Sequence, residues 1–209
     1  AGFNSPESDQ YIQIKHRIID LVTRKPGFDP EAQSSTLASA YHGKGLVLYH
    51  RRENIDEAME CFAQAVKYYP DYHVARNFHA VCLMMKGRLD EAEADLNSSI
   101  EIFSRKMEKN SNNGYLVQAK ETLEELKGLQ RWKAACGYPS ALAEVIEVVP
   151  GGQAERLGLA VGDRIVSVGG LFSIKLMFLL ATLNALDDRS ADLVFLRAGQ
   201  ERTVRLEGG

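Results

Sequence analysis

Two kinds of apolar spacing divide the chain. Up to about residue 133 the apolar positions recur every three or four residues, the period of a helix with one covered face. Beyond that point they alternate, as in strands. The first helix is expected over Ser5–Arg24. Ser5-Pro6 supplies a cap and a proline at the first helical position, and Tyr11, Ile14, Ile18 and Leu21 form its stripe before Lys25-Pro26-Gly27 ends it. Further helices are expected at about 35–50 and 72–86, each followed by a second one that opens near Ile55 or Leu89. A last helix, Tyr115–Lys133, follows the polar run Asn110–Gly114 and carries Leu116, Ala119, Leu123, Leu126 and Leu129 on one side. Six helices are therefore expected. After them, Ala143–Val149, Arg164–Val168, Leu193–Arg197 and Arg202–Leu206 read as strands, and Ser173 to about Leu186 reads as a helix.

The helical part repeats itself. Ile55–Val66 lies over Leu89–Ile100 at an offset of 34 residues, and both copies carry Asp-Glu-Ala after the first position. Apolar residues match at Ile55/Leu89, Phe62/Leu96 and Val66/Ile100, and small ones at Ala58/Ala92 and Ala65/Ser99. Small residues let two helices approach, and a large one a turn later fills the gap between them. Gly45 and Ala80 mark the matching close crossing on the preceding helices, and Gly87 is suited to end the second of these. These features, with Pro70 after the first copy, resemble the tetratricopeptide (TPR) family over roughly residues 34–105. Two repeats are fewer than the three or so that usually bury a continuous core, so the flanking helices are expected to cap the stack.

The TPR resemblance implies a binding face on the inner sides of the first helices of each repeat. On this chain that face would show His42, Leu46, Tyr49 and His50, then Asn77, Val81, Met84 and Met85. The mixture is apolar and aromatic and lacks the lysine and asparagine pattern that clamps acidic chaperone tails. The alternative is that Leu46, Val81 and the methionines pack on the N-terminal helix.

The C-terminal third carries a second resemblance. Val148-Val149-Pro150-Gly151-Gly152-Gln153-Ala154-Glu155-Arg156-Leu157-Gly158-Leu159, followed by Gly162-Asp163-Arg164-Ile165-Val166-Ser167-Val168-Gly169-Gly170, resembles a bacterial-type PDZ domain of the kind found in high-temperature-requirement and site-2 proteases. That likeness implies capture of an extended peptide, its free C-terminus included, by strand addition, with loop amides holding the carboxylate. The matching loop would be Ala135–Tyr138, giving Cys136, Gly137, Tyr138 and Ser140 as groove residues. Met177, Leu180 and Ala181 of the following helix would form the other wall. One departure is length: few residues separate Tyr138 from the first strand, so the groove edge is short or absent. Another is the helix itself, which is apolar nearly all round and calls for a second contact, either a ligand or the face Leu123–Leu129.

The expected fold is thus multidomain. Residues 1–33 hold an N-terminal helix and linker, 34–135 an all-α TPR-like stack of helical hairpins, and 136–209 a small α/β PDZ-like partly open barrel.

Composition narrows the function. A net charge of -3 over 209 residues argues against nucleic acid, which needs a basic footprint. No apolar run approaches the roughly 18 residues of a membrane span. Cys61, Cys82 and Cys136 have no CxxC spacing and read as buried thiols. No GxSxG, HExxH or phosphate-loop motif occurs, and His42 and His50 lack a carboxylate or cysteine that would complete a metal set. The expectation is a non-enzymatic adaptor or scaffold that binds a protein or peptide, without cofactor or metal. The alternatives are an assembly subunit that self-associates with its PDZ-like groove closed, and a regulatory fragment of a larger envelope protease. A bacterial envelope or periplasmic location is suggested only by the PDZ resemblance.

Overall fold

The structure, a computed structural model, describes the chain except residues 1–5, 25–26, 28, 30–32, 52–53, 107–113, 141–142, 175–178, 180–181, 184–189 and 208–209. The side chains of Lys106, Tyr115, Trp132 and Cys136 also lie outside the described set. Two compact units divide it: residues 1–83 with 90–126, and residues 84–89 with 127–209.

Six helices supply the first unit: α1 (Pro6–Thr23), α2 (Ser34–Arg51), α3 (Ile55–Tyr68), α4 (His73–Met85), α5 (Leu89–Lys106) and α6 (Gly114–Cys136), the ends of α4 and α6 and the first residue of α5 lying in the second unit. α3 begins where Asn54 caps it: its side chain accepts from the Glu57 amide at 3.0 Å and donates to the Glu57 carboxylate at 3.3 Å. The repeat residues fill the core. Phe62, Leu96, Ala58, Ala92 and Ala80 are all fully buried. A Cβ at Gly45 would stand 2.8 Å from the Phe62 ring, so only glycine allows α2 and α3 to cross this closely. On its other side α2 meets α1: a Cβ at Gly43 would lie 2.7 Å from the Tyr11 hydroxyl, and Ile19 packs with Leu37 and Ala40. An ion pair between Arg51, nearly buried, and Asp9 at 2.7 Å ties the end of α2 to the start of α1.

In the second unit a sheet of five strands is described: β1 (Ala143–Glu144), β2 (Arg164–Val168), β3 (Leu171–Phe172), β4 (Ala191–Arg197) and β5 (Gln200–Leu206). The order is β1-β2-β4-β5, every pairing is antiparallel, and β3 forms a hairpin with β2. Among the described residues the sheet is not closed, with β1 and β5 at its ends; a partly open barrel was expected. Its inner residues Ile165, Val168, Leu193, Phe195 and Leu206 pack with Leu179.

The short helix α7 (Gln153–Arg156) ends at Gly158, whose φ of 70° lets the Leu159 amide return to the Ala154 carbonyl. Asp163, almost wholly buried, braces the adjoining turn. It accepts two bonds from Arg197, at 2.8 and 2.7 Å, and one from the Ala160 amide. Arg197 also reaches the Gly158 carbonyl.

Candidate functional site

The first helices of the two repeats bring three pairs of residues to equivalent positions 35 apart: His42 and Asn77, Leu46 and Val81, Tyr49 and Met84. The offset is one greater than for the second helices because the turn before α3 is one residue longer. These positions do not form one open surface. Tyr49, Asn77 and Met84 are buried, as is Met85, while His42, Leu46 and Val81 are half-buried. The burial of Tyr49 has a visible cause, an edge-on contact with the Phe78 ring at 5.5 Å. The expectation of an exposed face is therefore corrected for Tyr49, Asn77 and Met84.

His42 sits in an aromatic nest. Its ring lies 5.0 Å from Tyr72, 5.9 Å from Phe62 and 5.9 Å from Phe78, centre to centre. Nδ1 shares a hydrogen with the Tyr72 hydroxyl at 3.1 Å. Burial pushes the imidazole pKa down to about 4, helped by the positive charge of Lys15, so the ring is neutral at pH 7. Its other nitrogen, Nε2, is buried without a hydrogen-bond partner among the described residues, and so is Oδ1 of Asn77. A neutral imidazole has one donor and one acceptor nitrogen. Equivalent positions on successive repeats thus each hold an unanswered polar atom, in surroundings where such an atom costs about 1–3 kcal/mol.

The second expected site is not assembled as the sequence suggested. Ala135 and Cys136 belong to α6, which runs a turn further than expected. Gly137 ends that helix at a φ of 84°, and its amide donates to the Lys133 carbonyl at 2.8 Å. The presumed carboxylate loop is a helix terminus whose glycine amide is already engaged. Ser140 is fully buried and its hydroxyl donates to the Ser173 carbonyl at 3.1 Å, so it lines no groove. The Tyr138 hydroxyl donates to Glu201 at 2.5 Å. Met177, Leu180 and Ala181 lie outside the described residues. Of the expected strand Ala143–Val149, only Ala143–Glu144 forms a ladder.

Among the described residues no group of three or more histidine, cysteine or carboxylate side chains is placed to hold a metal ion, and no helix is long and apolar enough to cross a membrane. Cys61 and Cys82 are buried and outside any disulfide, and burial pushes the Cys61 pKa up to about 11, which keeps it protonated and unreactive.

Residues 49–102 match the family described as the tetratricopeptide repeat. This stretch contains α3 and α4, most of α5, and Asn77, Val81 and Met84. No curated protein gives a significant match to the chain. Tetratricopeptide repeats generally mediate protein–protein interaction.

Proposed function

We propose that this chain is a non-catalytic adaptor that holds an extended peptide segment of a partner protein on the first-helix face of its repeats. The observation that carries the reading is the pair of orphaned polar atoms, His42 Nε2 and Asn77 Oδ1, on equivalent turns of successive repeats. Asn77 Oδ1 accepts a hydrogen bond. With Tyr72 donating to Nδ1, His42 Nε2 carries the proton and donates. A backbone peptide unit offers the complementary acceptor and donor whatever its side chain. Half-buried Leu46 and Val81 flank these positions and supply apolar contact. Both atoms are buried in the free chain, so engagement requires His42 and Asn77 to turn outward toward the ligand.

The C-terminal unit is read as PDZ-like from its order of strand, short helix and strand, and from the glycine turns at Gly158 and Gly162. The engaged Gly137 amide and buried Ser140 favour a form of that unit without a carboxylate pocket at this loop. They give weight to a second reading, an assembly subunit whose PDZ-like groove is closed.

The test is selection of a displayed random peptide library on the immobilised full chain. Enriched peptides should lose binding to Leu46→Asp and Val81→Asp variants that still fold. Failure to enrich any peptide, or undiminished binding to both variants, would refute the adaptor reading.

A further inference from the structure

The apolar stripe that the sequence marks on α1 is not the side on which that helix packs. Ile19 is buried against Leu37 and Ala40, with Ile18 and Val22 beside it. Tyr11, Ile14 and Leu21 are left 42%, 50% and 63% exposed. With half-buried Ile18 they stand three, four and three residues apart, the spacing of one seam of a two-helix coiled coil. The solvent side of a helix ordinarily carries polar residues at such positions. The seam borders a groove between α1 and α2. This cavity of about 340 Å³ is lined by Lys15, Ile18, Ser35, Thr36, Ser39 and Ala40. Ser35 and Ser39 stand one turn apart on α2, and their small side chains leave room for a further helix.

The charges flanking the seam select its occupant, because these positions decide which helices pair. Lys15 stands on one flank, and Gln10, Arg17 and Arg24 on the other. Lys15 Nζ lies 4.8 Å from the centre of the Tyr11 ring, and neither Lys15 nor Arg17 has a carboxylate partner among the described residues. The acids of α1 are placed elsewhere. Asp9 is bound to Arg51, Asp20 lies off the seam and pairs with Arg24 at 3.6 Å, and Glu7 precedes Tyr11 by a turn. A second copy fits this pattern poorly. Two α1 helices meeting antiparallel, with Tyr11 on Leu21 and Ile14 on Ile18, would set Arg17 against Arg17 and Lys15 against Lys15. In parallel they would set Gln10 against Lys15 and Arg17 against Val22, with no ion pair gained. A helix with aliphatic residues at the same spacing and glutamate or aspartate on both flanks meets the seam and its charge together.

We infer that α1 and the groove beside it take up an amphipathic helix of a partner protein, aliphatic along one stripe and acidic on either side of it. This surface is separate from the first-helix residues that hold an extended peptide in the proposed function, and it does not depend on that reading.

The probe is a peptide of three heptads, titrated into the full chain. It carries isoleucine and leucine at the two seam positions, glutamate on both flanks and alanine or glutamine elsewhere. Repulsion among its glutamates keeps it from pairing with itself. Calorimetry should show saturable binding, and circular dichroism a gain of helix. The same peptide with lysine flanks should bind about tenfold more weakly. Ile14→Gln and Leu21→Gln each remove an exposed aliphatic group, so each should weaken binding about tenfold without lowering the melting temperature. Arg17→Glu should weaken the glutamate peptide about fivefold and strengthen the lysine peptide.

Absence of binding by the glutamate peptide, or equal affinity for the two peptides, would overturn the inference. So would an affinity undiminished when Ile14→Gln and Leu21→Gln are combined. Sedimentation showing a dimer that Ile14→Gln dissociates would make a second copy the occupant and overturn the charge argument. Leu46→Asp should leave all these readouts unchanged. Loss of the helical peptide on that variant would move it to the repeat face and overturn its place on α1.

Discussion

Acidification should loosen the helical unit through His42, well above the pH at which carboxylates protonate. The imidazole pKa is about 4 in the folded chain against an ordinary 6.5, because burial among Phe62, Tyr72 and Phe78 disfavours the cation. Between those values the unfolded chain binds a proton at this residue and the folded chain does not. Stability therefore falls as the pH drops below 6.5, and the loss levels off only once the folded ring also protonates near pH 4. Worked through both equilibria, the loss from pH 7 to pH 5 is about 2 kcal/mol. Urea unfolding at the two pH values measures it, with His42→Phe as the reference. Phenylalanine fits an aromatic nest and has no proton to bind, so its stability should change less across this range by about the same 2 kcal/mol. Comparing the variants' pH dependence cancels the contributions of the other histidines. The reasoning fails if both proteins lose equal stability, or if the His42 ring titrates near its ordinary value by NMR.

Other substitutions probe the packing and the face. Gly45→Ala forces a methyl against the buried Phe62 ring and should cost about 1–3 kcal/mol in chemical unfolding. Asn77→Leu removes an orphaned acceptor, so it should leave stability unchanged or raise it by about 1 kcal/mol while weakening library-selected peptides about tenfold. A large destabilisation would show that Oδ1 is satisfied in solution. Gly137→Ala strains a left-handed helix terminus and should cost about 1 kcal/mol without altering peptide affinity. The Arg197 guanidinium beside Asp163 holds its carboxyl below the usual range. That contribution is complete above the unfolded carboxyl's pKa and is lost as the pH falls through the lower folded value. Thermal melts between pH 5 and pH 2 should therefore be flatter for Asp163→Asn than for the parent chain.

The helical half was legible because it is written twice. A single amphipathic run says little about its neighbour, but two copies in register identify Phe62 and Leu96 as gap-fillers and Gly45 and Ala80 as crossings. Which apolar side of α2 and α4 remains open was not legible. Tyr49 and Met84 have spacing suited to a groove, and three-dimensional packing decided that they are buried. Gly137 misled for a related reason. A glycine of positive φ serves a ligand loop and a helix terminus equally well, and Ala134, Ala135 and Cys136 offer no obstacle to extending α6 by a turn. β3 has only two residues, too few for alternation to reveal.

Amide NMR of the full chain mixed with a library-selected peptide tests most directly whether a partner chain lies on the repeat face. Shifts should concentrate at His42, Leu46, Asn77 and Val81, and the Asn77 side-chain amide should move with them. Shifts confined to other residues, with these four unchanged at saturation, would contradict it.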